Sequence, residues 1–74
     1  MIVAELRRLI TLSPPETAQH LEKAITSWKE RDRDSMQTHI CRAQDSVDDY
    51  SLIECIEDVW TDAFEKFFPN GGGF

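Results

Sequence analysis

The side chains able to do chemistry in this chain are two histidines, His20 and His39, two cysteines, Cys41 and Cys55, and a surplus of carboxylates. A structural metal site would need four such groups to converge. Neither CxxC nor HxxxH spacing occurs. His39 and Cys41, two apart on a helix, point about 200° away from each other. A nucleophile needs a base within hydrogen-bond reach and a group that orients the base. Nothing in the sequence pairs either thiol with an imidazole. Cys41 and Cys55 fall at the edges of apolar stripes and read as semi-buried thiols, with a disulfide between them left open. The adjacent carboxylates Glu57–Asp58 and Asp48–Asp49 do not share a helix face, and no glycine-rich phosphate loop accompanies them. The sequence therefore predicts a non-enzymatic chain with no cofactor and no metal.

One spacing survives. Glu54, Asp58, Asp62 and Glu65 recur one turn apart and would form an acidic ridge, extended by Asp45, Asp48 and Asp49. Charge is unevenly placed along the 74 residues: residues 1–37 carry six acidic and six basic side chains, and residues 38–74 carry eight acidic and two basic, so the whole net charge of −6 lies in the second half. Such a surface repels nucleic acid and anionic membrane and favours a protein with a basic surface. The same ridge also suits the solvated side of an amphipathic helix. Apolar candidates for a partner or for self-association are Ile2, Leu6, Phe68 and Phe74.

These residues need elements to position them. Ser51–Phe68 is the most apolar and the most acidic stretch at once. On a helix, Leu52, Ile53, Ile56, Val59, Trp60, Ala63, Phe64 and Phe67 share one face, opposite the ridge. Ser51 and Glu54 have capping-box spacing, and Pro69 stops the far end. Met1–Leu12 reads as a short helix with Ile2, Val3, Leu6, Leu9 and Ile10 on one face. Ser13-Pro14-Pro15-Glu16 predicts a second helix start, with Ser13 as cap, running to about Arg31. Its seam is Ala18, Leu21, Ile25 and Trp28, with Ala24 beside it. The apolar-free run KERDRD (29–34) is a turn in which Asp32 or Asp34 can cap a third helix, about Ser35–Val47, with Met36, Ile40, Ala43 and Val47 as its stripe. No Gly or Pro separates the third helix from the fourth. Continued as one helix, their stripes would lie about 160° apart, so a break is expected near Ser46–Tyr50.

The segment LEKAITSWKERDRDSMQTHICRAQDSV (21–47) resembles the helix–turn–helix stretch of flagellin-export chaperones, with its charged turn and RAQD-type segment. Helical hairpins of other families, tetratricopeptide units among them, share the pattern. The resemblance implies a helical hairpin and a secretion-chaperone-like role.

The expected fold is all-α: one domain over 1–68, a small bundle of a short N-terminal helix plus three longer antiparallel helices, with a flexible Gly-rich tail at 69–74. The seam Leu21, Ile25 and Trp28 should pack against Ile56, Val59, Trp60 and Ala63, with Trp60 at the centre. So short a chain buries a small core, which favours a homodimer. The opening run carries Glu5, Arg7 and Arg8 where a secretory signal has no charge, so a cytoplasmic location is expected. Small size and acidity fit a regulator, adaptor or inhibitor that occupies a partner's surface, as phage-encoded inhibitors of host enzymes do. A structural homo-oligomer or a small-ligand-binding module are the alternatives.

Overall fold

The computed structural model describes residues 2–67, which form four helices: α1 (Ile2–Leu12), α2 (Pro15–Lys29), α3 (Arg33–Asp45) and α4 (Tyr50–Phe67). Each start has its own local cause. Pro14 and Pro15 occupy the N-cap and first helical positions of α2, where a missing N–H costs nothing. The expected Ser13 cap does not form. Its hydroxyl donates to the Leu9 carbonyl at 2.6 Å, which closes α1. At α3 the cap is Asp32, whose carboxylate accepts from the Ser35 N–H at 3.1 Å. At α4 the Ser51–Glu54 capping box is replaced by Asp49, whose Oδ1 accepts from the N–H groups of Ser51 (3.0 Å) and Leu52 (3.4 Å). The helix therefore begins one residue earlier, and the predicted break falls at residues 46–49.

The turn after α2 has no glycine. Arg31 takes the left-handed conformation there, with φ 59°. The Asp32 N–H reaches back to the Ser27 carbonyl (2.9 Å) and the Arg31 N–H to Trp28 (3.1 Å), the paired bonds of a Schellman ending. A side chain at positive φ costs about 1 kcal/mol. The Arg31 guanidinium lies 4.5 Å from the centre of the Trp28 ring, a cation–π contact that offsets part of that cost.

One connected core joins all four helices. Leu6, Leu21, Met36, Ile40 and Ile56 are fully buried within it. The helices pack in a ring: α1 on α2, α2 on α3, α3 on α4, and α4 back on α1. The expected seam of α2 against α4 is thus corrected, because these two helices sit diagonally and α2 instead packs chiefly on α3 and α1. Their far ends do meet, with the Trp28 and Phe67 rings edge to face at 5.2 Å. A part-buried polar contact ties α2 to the residue that follows α3. Ser46 Oγ donates to the Ala43 carbonyl (2.8 Å), so the Thr17 hydroxyl is the donor in its 2.6 Å bond to Ser46 Oγ.

Two further expectations change. Ile2 and Leu6 are 3% and 0% exposed, inside the chain's own core, so neither offers a surface to a partner or a second copy. The α1 stripe of Ile2, Leu6 and Leu9 is covered by α2 and α4. On α4 the buried line is Leu52, Ile56, Val59 and Ala63, while Trp60 is only half-buried and Phe64 is 38% exposed. With about 100° per residue, Trp60 and Phe64 are rotated toward α3, past the arc that the neighbouring helices cover. Phe68, Phe74 and the 69–74 tail lie outside the described residues.

Candidate interaction surface

α4 presents its acidic side to solvent because its apolar line is consumed by the core. Glu54, Asp58 and Glu65 are exposed and Asp62 is half-buried. The ridge thus stands on one rigid helix. Its charge is modulated at two places. Asp62 Oδ1 takes the Lys66 ammonium at 3.4 Å, one turn on. Asp58 lines a groove between α1 and α4 with Glu5, Arg8, Leu9, Cys55 and Val59. The extension of the ridge is less uniform. Asp48 is exposed, while Asp49 is committed to capping α4.

Beside the ridge lies a feature that the apolar stripe concealed. An open depression on α4 is lined by Glu57, Trp60, Thr61, Phe64 and Glu65. The Trp60 and Phe64 rings meet edge to face at 5.8 Å and 68°. Gln44 of α3 spans the helix gap: its amide donates to the Ile53 carbonyl (3.2 Å) and to Glu57 Oε2 (2.9 Å). Glu57 is thereby fixed. The signal in the sequence was the width of the stripe, since eight apolar positions exceed what a small bundle can bury on one helix.

The flank formed by α2 and α3 brings His20, Lys23, His39 and Arg42 near one another. His20 and His39 are half-buried, and each has its Nδ1 atom shielded from solvent without a hydrogen-bond partner. Burial, and then the nearby Lys23, His20 and Arg42, hold the His39 imidazole below its usual 6.5, against a weaker opposing pull from Asp32. A groove on this flank is lined by Glu16, His20, Arg42, Asp45 and Ser46, so it is mixed in sign. Asp32 itself is held below the usual carboxylate range, first by the Ser35 backbone N–H it accepts.

Cys41 and Cys55 are free thiols, and both are exposed rather than semi-buried. Among the described residues, no group of three or more His, Cys, Asp or Glu could hold a metal ion, and no helix is long and apolar enough to cross a membrane.

No family model matches the chain, nor does any curated protein or solved structure. The likeness of residues 21–47 to flagellin-export chaperones rests on that segment alone, and the fold and surface carry the functional reading.

Proposed function

We propose that this is a small non-enzymatic interaction protein of the cytoplasm, a regulator, adaptor or inhibitor, whose outer α4 face covers a basic surface of another protein. The observation that carries this reading is the line Glu54, Asp58, Asp62 and Glu65, held on a single helix, where Asp62 pairs with Lys66. A rigid row of carboxylates raises the association rate with a cationic surface and fixes its orientation. Connections of two to four residues between successive helices support an antiparallel bundle, which makes a stiff base for that row.

The test is charge reversal. Asp58→Lys with Asp62→Lys should weaken partner binding at least about tenfold while the helical signal and melting point stay near those of the parent, because neither side chain belongs to the core. Unchanged affinity would remove the ridge from the reading.

A second reading, a homodimer, draws on Leu12 and Tyr50, which are 67% and 72% exposed. In that case light scattering across a dilution series gives twice the chain mass, and Leu12→Glu returns it to the monomer.

A further inference from the structure

We propose that His20 and Lys23 of α2, together with His39 and Arg42 of α3, form a binding site for a phosphate group, free or carried as a monoester. The site uses no residue of the α4 ridge and does not depend on it. His20 and Lys23 lie one turn apart on α2, and His39 and Arg42 one turn apart on α3. The Thr17–Ser46 hydrogen bond sets the register of the two helices and places His20 beside Arg42, with which it lines a groove. One turn further toward Arg31, Lys23 comes near His39. Four basic side chains from two helices thus share one small area. Among the described residues, neither Lys23 nor Arg42 makes an ion pair with a carboxylate.

The imidazoles decide the sign of the ligand. Both rings are half-buried, and the shielded nitrogen of each is Nδ1, so Nε2 is the one left to the surface. A neutral imidazole has one N–H and one bare nitrogen. A shielded atom without a partner costs less as a bare acceptor than as an orphaned N–H, so each ring carries its proton on Nε2. Two N–H donors therefore face outward beside an ammonium and a guanidinium. A metal ion would need the reverse arrangement, a bare Nε2 and an Nδ1 proton held by an acceptor, and the two cations would repel it. A phosphate dianion matches Lys23 and Arg42 in charge, and its oxygens accept from both imidazoles and from the guanidinium fork. Glu16 and Asp45 lie at the Ser46 end of the groove, so the anion sits toward Lys23 and His39. There Asp32 is the opposing carboxylate, and it acts on His39 more weakly than Lys23, His20 or Arg42. A bound dianion offsets the like charges that help hold His39 below its usual 6.5.

The experiment uses the intact 74-residue chain, isotopically labelled, with the ring signals of His20 and His39 as reporters. It is titrated at about pH 7.5, where phosphate is chiefly the dianion. The probes are inorganic phosphate and glycerol phosphate, with sodium chloride at matched ionic strength as the reference. Both phosphates should shift the two rings saturably, and inorganic phosphate should raise the titration midpoint of His39. Whichever of the two binds more tightly identifies the source of the group. Lys23→Gln with Arg42→Gln should weaken binding at least about tenfold. Both side chains are exposed, so circular dichroism should show an intact fold. Arg7→Gln with Arg8→Gln removes two exposed cations of α1 and should leave the affinity within about twofold. Equal losses in the two double variants would mean an adventitious ion only and overturn the site. Ring shifts that chloride reproduces, or that survive Lys23→Gln with Arg42→Gln, would overturn it as well. Zinc binding at the two imidazoles with no response to either phosphate would assign them to a cation, against the proposal. None of these results bears on the α4 ridge, whose charge-reversal test reads a different ligand.

Discussion

The outer face of α4 and the flank made by α2 and α3 are built from the same kind of amphipathic helix, yet one is acidic and the other is mixed in sign. α4 carries Glu54, Glu57, Asp58 and Glu65 beside an aromatic pair. The α2–α3 flank gathers His20, Lys23, His39 and Arg42 closely enough that three of them depress the fourth. A net charge of −6 describes neither region. α2 and α3 each carry two acidic and two basic side chains and sum to zero, whereas α4 carries five acidic and one basic, so the two regions differ in net charge and not in its sign.

Both regions hang on one core, so the most severe way to break the contrast is to empty that core. Ile56→Ala should cost about 2–5 kcal/mol and abolish both surfaces in a urea melt, because Ile56 is fully buried where α4 meets its neighbours. Trp60→Ala should cost less, since the indole is half-buried on the α3 side. A Trp60 variant less stable than the Ile56 variant would contradict this packing.

A milder perturbation separates the helix from its charge. Asp49→Ala removes the acceptor of two α4 amides and should cost about 1 kcal/mol. Ser51→Ala should leave the melting point within error, because its hydroxyl takes no part in the cap. Equal losses would restore the capping box that the sequence spacing suggests.

The smallest effect concerns the α2–α3 flank. The folded state holds His39 below its usual 6.5, so between 6.5 and that lower value the unfolded chain binds more protons. Stability from this group is complete above pH 6.5 and declines as pH falls below it. Melts at about pH 7.5 and about pH 5.5 should show the loss, and His39→Gln should reduce it. An undiminished pH dependence in that variant would place the responsible group elsewhere.

Periodicity and end signals were enough to define four helices, to break the chain between α3 and α4, and to put Leu21, Ile25, Met36, Ile40 and Ile56 inside. These follow from local physics. A proline blocks a helix, a stripe at 3.6-residue spacing must face something, and two stripes out of phase cannot share one rod. The cap identities were less legible. Ser13, Asp32, Asp49 and Ser51 all have the chemistry, and the choice among them depends on where the incoming chain turns.

The sequence by itself determined the helices, the apolar faces and the placement of all the excess charge in the second half. Only the tertiary structure decided which helices are neighbours. That decision buries Ile2 and Leu6 between α1 and its partners, sets α2 diagonal to α4, and brings Gln44 across to hold Glu57. It also leaves Phe64 outside. A helix wheel ranks directions around one axis, but the width of the covered arc depends on how closely two other helices approach. That distance comes from packing of side chains distant in sequence, which no local pattern records.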